Sequence, residues 1–238
     1  FGSIASFTRY NGAMAPKLSI IIPNYNEKEN IETGALDKVA EYLANVSFTW
    51  EVIISDDGST DGSRDLVEAF VKENKSFHLL KNPHGGKAAA INAGVKAANG
   101  EIILFADMDQ STPLKEVEKL LPFYDQGDDV VFGSRGKARK NFPLMRQIAS
   151  WGFRTLRQLF LLRHITDTQC GFKSFRSPIA KSLFPKLSVL KEKATGWTVS
   201  AFDVELLFLA EKTGYKLKEV EVDWHDRDVS TGKSRNFF

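Results

Sequence analysis

Short apolar runs and amphipathic stretches take turns along the first half of the chain. Leu18–Ile22 (LSIII), Glu51–Ser55 (EVIIS), Phe77–Leu80, Ile102–Ala106 and Asp129–Gly133 are runs of four or five residues bounded by turn formers. That length suits strands buried on both faces better than helices. Between them, apolar residues fall at helical spacing from Glu27 to about Leu43, and over Arg64–Glu73, Ala88–Ala98 and Leu114–Tyr124. Pro23 is expected to stop the first strand. Strands alternating with helices of this size predict βαβ units, hence an α/β domain with a mostly parallel central sheet. In the first four units the polar and Gly-rich residues cluster just after the strand: Asn24–Glu27, Asp56–Gly62, Asn82–Lys87 and Asp107–Pro113. Ligands of open α/β sheets bind at that edge, so all four clusters should line one crevice.

The second half breaks this rhythm. Pro143–Ile165 reads as a long helix carrying Trp151, Phe153, Leu156, Phe160, Leu161 and Leu162, with Arg146, Arg154, Arg157 and Arg163 interspersed. Such a stripe reads as core or, given the arginines, as a membrane-surface contact. Asp167–Phe175 (DTQCGFKSF) is expected to be extended, Phe202–Thr213 helical and Lys216–Val222 a strand, before a polar tail Trp224–Arg235. No repeat or low-complexity linker divides the chain, which predicts one domain over residues 17–238. Residues 1–16 show no signal-peptide layout and are expected to be an appended remnant or a disordered lead. Phe238 reads as a cut.

Composition narrows this picture. A chain of 238 residues that is 42% hydrophobic and 26% charged has the balance of a soluble globular protein, ample for a sizeable core. A formal net charge of +2 gives no bulk-charge argument for a nucleic-acid partner. The single Cys170 rules out an intrachain disulfide and a zinc cluster, favours a reducing compartment, and reads as a small buried hydrophobe. His78, His84, His164 and His225 show no metal-ligand spacing and are assigned no chemistry. No run of 18 apolar residues exists to span a bilayer.

The candidate chemistry gathers on the four clusters. Asp107 and Asp109 alternate at the end of the Ile102–Ala106 run, so both side chains should face one side. Two carboxylates so close repel unless a cation or hydrogen-bond donors lie between them, and hard oxygen ligands suit Mg²⁺ or Mn²⁺ carrying substrate phosphates. The bland alternative is a solvated strand end with Asp109 capping the next helix. Lys87 sits on a Gly-rich turn before a helix N-terminus, a natural anion site. Asp61 fits an N-cap.

Four blocks in order and spacing over about residues 17–135 resemble the family 2 inverting glycosyltransferases: Pro23-Asn24-Tyr25-Asn26-Glu27, Asp56-Asp57-Gly58-Ser59-Thr60-Asp61, Gly85-Gly86-Lys87 and Asp107-Met108-Asp109. Gly133-Ser134-Arg135, Phe142–Arg146, Asp167–Lys173 and Gly232–Arg235 are similar to the polyprenyl-phosphate hexosyltransferases, more to the dolichyl-phosphate glucose synthases than to the mannose ones. The mannose enzymes carry Gln two residues after the second Asp, where this chain has Ser111. The resemblance implies a single Rossmann-like nucleotide-diphosphosugar transferase domain of GT-A type, with a nucleotide-sugar half at 17–135 and an acceptor half at 136–238. It implies inverting transfer of a hexose, glucose from UDP-glucose, to a polyprenyl or dolichyl phosphate, with Mg²⁺ or Mn²⁺, at the cytoplasmic face of a membrane, peripherally or through a tether outside this chain.

Within that frame Pro23 and Tyr25 can flank the base, Asp56 can accept from a ring N–H, and Glu27 can reach base or ribose. By resemblance Asp107 reaches ribose or metal, and Asp109 is the principal metal ligand. A phosphate monoester is largely deprotonated at neutral pH, so the acceptor needs cations more than a base. Arg135, Arg146 and Arg227 are the candidates, since guanidinium pairs bidentately with phosphate. Asp167 is the base if the acceptor is a hydroxyl. The rivals are a GDP-mannose-dependent mannose synthase, a transferase acting on a sugar hydroxyl, and a non-catalytic nucleotide-sugar-binding module.

Overall fold

The computed structural model describes residues 9–10, 13–136, 165–191, 202–227 and 229. Seven strands form one sheet: β1 Leu18–Asn24, β2 Trp50–Asp56, β3 Phe77–Lys81, β4 Ile102–Phe105, β5 Val130–Ser134, β6 Lys173–Arg176 and β7 Leu217–Glu221. Their order across the sheet is β3-β2-β1-β4-β6-β5-β7. Every pairing is parallel except the two made by β6. A separate two-strand ladder joins Arg9–Tyr10 to Ala13–Met14.

Helices cover both faces. In β1, Leu18, Ile20 and Ile22 pack with α2 (Ala35–Leu43), α3 (Ser63–Glu73) and α5 (Val117–Asp125). Ile21 faces the other layer, where α4 (Lys87–Ala97), α6 (Ser177–Leu183) and α7 (Phe202–Lys212) lie. Apolar residues on both strand faces are what a sheet covered on both sides requires. The mostly parallel α/β expectation therefore holds, with one antiparallel strand added.

Several boundaries differ from the sequence reading, each for a local reason. The first strand runs through Pro23 to Asn24. Asn24 O accepts from Asp57 N toward β2, while Ile21 O accepts from Ala106 N toward β4. Alternation turns Pro23 to the β4 side, and β4 pairs no further than Phe105 with Ile21. The missing N–H of proline thus falls where no ladder bond is due. The helical stretch after Glu27 is two helices, α1 (Lys28–Glu32) and α2, because Gly34 takes a left-handed φ of 80° between them. The stretch from Leu114 opens with a 3₁₀ turn, Leu114–Glu116, before α5. Of Asp167–Phe175 only the end joins a strand, β6. The helix expected at Pro143–Ile165 lies outside the described residues apart from Ile165, and Arg146 with it.

This topology brings the candidate residues to one edge. The segments after β1, β2, β3, β4, β5 and β7 leave the sheet on the same side, because those strands run the same way. The segment before β6 reaches that side because β6 runs in the opposite direction.

Candidate active site

One side of the crevice is built from the loops after β1, β2 and β3. Asp56 is fully buried at the end of β2. One oxygen accepts from Asn24 Nδ2 (2.8 Å), and the other from Gly58 N, Ser59 N, Arg64 Nε (2.8 Å) and Arg64 Nη2 (2.5 Å). Burial alone would raise its pKa, but the hydrogen bonds from Ser59, Arg64 and Asn24 outweigh it and hold the carboxyl below the usual range. Both oxygens are therefore committed inside the protein. Asp57, also buried, ties down the next loop by accepting from Gly85 N (2.8 Å), Gly86 N (2.9 Å) and the His84 ring. Asp61 precedes the cap position, held by Gly62, and instead accepts from Ser63 N (2.9 Å) and Lys28 N (3.0 Å). It joins the starts of α1 and α3.

Tyr25 is exposed and stacks on His84, with ring centroids 4.5 Å apart. Pro23 is buried in β1. Glu27, at the start of α1, is buried and accepts from Asn30 Nδ2 (2.7 Å).

Asp107 and Asp109 lie in the turn beyond β4, not in the strand itself. The alternation expected for them persists: Met108 is buried in the core and the two carboxylates are partly exposed. Asp107 pairs with Lys87 Nζ at 2.5 Å. Desolvation would lower the Lys87 pKa, but Asp107, Asp203 and Asp109 raise it above the ordinary lysine range. Its ammonium is the cation that relieves the repulsion anticipated between the aspartates. Asp109 Oδ1 accepts from Ser111 N (2.8 Å), and Gln110 takes a left-handed φ of 52°. Gly171, from the segment before β6, backs onto this turn, and a Cβ there would run into the Asp107 carboxylate.

Ser111 is engaged on its other side by the segment after β7. Its backbone oxygen accepts from His225 N (2.8 Å) and its hydroxyl from Arg227 N (3.2 Å). Val229 N reaches Asn30 Oδ1 (3.2 Å). This strap carries the exposed Arg227 beside the acidic turn.

On the other side of the crevice Arg135, just after β5, gives Nε and Nη2 to Asp167 at 2.7 and 2.8 Å. Its guanidinium lies 5.6 Å from the Trp224 ring centre. Desolvation opposes its charge, and Asp167 more than restores it. Arg135 and Asp167 are thus each other's partner in a bidentate pair. Lys173 in β6 is fully buried, donates to Cys170 O, and pairs with Asp203 Oδ1 at 2.6 Å. Burial pushes the Cys170 thiol up, as suits a packed sulfur.

Four residues that the sequence reading passed over belong to this architecture: Arg64, His84, Lys173 and Asp203. Arg64 carried a signal, since a cation in the first turn of a helix opposes the dipole unless a carboxylate is near. Lys173 carried one too, as a charge between the aromatic residues Phe172 and Phe175. An Asp in the first turn of α7 is ordinary, and nothing marked Asp203.

The donor set bears on a metal. Among the described residues no group of three His, Cys, Asp or Glu could hold one. At the turn, however, Asp107 and Asp109 both lie within electrostatic reach of the Lys87 ammonium. Two partly exposed carboxylates in one turn fit a hard divalent cation whose other ligands are phosphates and water.

A mostly parallel α/β sheet with an acidic turn, a lysine and a Gly-rich loop gathered at the carboxyl ends of its strands is the layout of a nucleotide-binding α/β domain. The chain belongs to glycosyl transferase family 2, which it matches over residues 19–184. It is 35% identical over 231 residues to a dolichyl-phosphate beta-glucosyltransferase of Trichomonas vaginalis, covering 91% of this chain and 68% of that protein. Identity to the dolichyl-phosphate beta-glucosyltransferase of Dictyostelium discoideum is 34%, over 90% of this chain and 68% of the relative. The crystal structure of glucosyl-3-phosphoglycerate synthase from Mycobacterium tuberculosis with Mn²⁺, UDP-glucose and phosphoglyceric acid superposes with a TM-score of 0.62. At 18% identity, over 90% of this chain and 73% of that one, that likeness shows the shared fold.

Proposed function

We propose that this chain transfers glucose from UDP-glucose to a dolichyl or related polyprenyl phosphate, with inversion at the anomeric carbon. The observation that carries the reading is the Lys87–Asp107 pair with Asp109 beside it, at the edge where the nucleotide-side loops converge. The similarity to dolichyl-phosphate beta-glucosyltransferases supplies the substrate pair.

Asp107 and Asp109 are the residues that would hold Mg²⁺ or Mn²⁺, and a cation bound there would neutralise the leaving diphosphate. Lys87 keeps its charge through neutral pH and offers the donor phosphates an ammonium in exchange for Asp107. Tyr25 and the loop anchored by Asp56 line the nucleoside side, with Pro23 and Glu27 buried behind them. An oxygen of the acceptor phosphate attacks the anomeric carbon from the face opposite the diphosphate. The bond from that carbon to the diphosphate oxygen breaks, and its electron pair leaves with UDP. The acceptor dianion needs no strong base, which leaves Asp167 free to orient Arg135. Arg227, on the strap, and Arg146, outside the described residues, are proposed to gather the acceptor phosphate with Arg135. The membrane surface is where such an acceptor is met, and among the described residues no helix is long and apolar enough to cross a bilayer.

The deciding experiment offers UDP-glucose, UDP-galactose and GDP-mannose with a short polyprenyl phosphate, and identifies the product by mass. A hexosyl phosphate lipid from UDP-glucose is expected. Turnover of GDP-mannose in preference would move the assignment to a mannose synthase, and transfer to sugar hydroxyls alone would overturn the acceptor.

A further inference from the structure

We propose that His84 is the ring on which the nucleobase stacks, with Tyr25 as a second ring behind it. This rests on the UDP-sugar reading above and adds to it a residue that the sequence assigned no chemistry. Tyr25 and His84 are stacked at 4.5 Å with 23° between their planes. Aromatic faces in contact are about 3.5–4 Å apart, so a base between the two rings would need roughly 7–8 Å, which this pair does not offer. A base must therefore stack on an outer face. Both rings keep exposed surface: the His84 side chain is 59% exposed, and Tyr25 is exposed as well.

The imidazole is the better anchored of the two. His84 Nδ1 lies 2.9 Å from Asp57 Oδ2 and 3.0 Å from Asp57 O, and Asp57 is only 2% exposed. The same carboxylate holds Gly85 N and Gly86 N, so the ring and the turn leading to Lys87 share one buried support. Gly58 packs against the root of this side chain: a Cβ there would lie 3.1–3.2 Å from His84 N and Cβ. A ring held this way costs little further entropy when a base settles on it. Asp56 does not compete for the role, because both its oxygens are filled by Asn24, Gly58, Ser59 and Arg64. The pair is therefore a stacking platform, backed by the carboxylate of Asp57, the first residue beyond β2.

Calorimetric titration with UDP and with inorganic pyrophosphate, each with Mn²⁺ at pH 7.5, tests this on wild type, His84→Ala and His84→Phe. Base–aromatic stacking is worth about 1–3 kcal/mol, so His84→Ala should weaken UDP binding on the order of tenfold. Pyrophosphate, which has no base, should bind both proteins alike, and His84→Phe should stay within about threefold of wild type for UDP. Unchanged UDP affinity in His84→Ala would overturn the proposal. Tighter UDP binding would overturn it too, by showing that the imidazole occupies the base's own place against Tyr25. Equal losses for UDP and pyrophosphate would make His84 a support of the Gly-rich turn instead. Wild type that binds pyrophosphate and GDP but not UDP would sink the donor reading, and this one with it.

Discussion

The buried carboxylate of Asp56 accepts five hydrogen bonds, two of them from one guanidinium. Its pKa is lowered in the native state, so the unfolded chain binds its proton first as pH falls. The stabilisation it provides is complete above the ordinary Asp value of about 3.9 and fades as pH drops toward the lowered native value. Arg64→Ala should cost about 2–4 kcal/mol at pH 7, because it leaves a buried charge without its partner. Urea unfolding of the variant should show a flatter dependence between pH 5 and 3 than wild type. Superimposable acid limbs would show that the pair contributes nothing. Asp109 belongs to the same scale but to the chemistry: Asp109→Ala should abolish turnover while leaving the melting temperature within a few degrees, and Asp109→Glu should keep a trace. Wild-type activity unaffected by EDTA would remove the metal from the reading.

At the level of elements, the DTQCGFK segment and β6 join the two halves of the crevice. Gly171 lets the segment approach the acidic turn, and Lys173 pins the segment to α7 through Asp203. Gly171→Ala pushes a methyl group against the Asp107 carboxylate, whose alternatives are to turn away or to part from Lys87. A fall in kcat of at least about tenfold is expected, larger than any change in denaturation midpoint, since a misplacement near 1 Å costs about 10²-fold. Lys173→Met strands the Asp203 carboxylate beside the core, and removing one partner of a buried pair costs about 3–5 kcal/mol. An unshifted urea midpoint for Lys173→Met would mean that water, not Lys173, satisfies Asp203.

Across the whole molecule, the strap after β7 runs from Trp224, near Arg135, over Ser111 to Asn30. It ties the Arg135 side of the crevice to the Asn30 side through alternate backbone N–H groups, and it presents Arg227 at the crevice. The arginines are proposed to serve the acceptor, so Arg146→Ala should raise the KM for polyprenyl phosphate several-fold and leave UDP affinity nearly unchanged. Flotation with liposomes should show weak binding that grows with anionic lipid and shrinks with salt. Loss of nucleotide affinity with unaltered acceptor kinetics would assign the halves of the crevice the other way round.

The sequence by itself determined the layers and the edge. Apolar runs such as Ile102–Ala106 demand burial on both faces, and helices between strands demand parallel crossovers, so the polar clusters had to meet at the carboxyl ends. The placing of Asp107, Asp109, Lys87 and Tyr25 at that edge was legible for that reason. The tertiary structure alone decided that β6 enters antiparallel, because the residue pattern of a strand reads the same in either direction. It alone decided who pairs with whom. Arg135 with Asp167, and Lys173 with Asp203, are separated by about 30 residues, and charge pairing depends on distance in space, which spacing along the chain does not carry. Asp56, suited by type to read a base, was claimed instead by Arg64, eight residues on. His84, with no partner in the sequence, acquired two where the loops after β1 and β2 meet the one after β3: Tyr25 at its face and Asp57 at its edge.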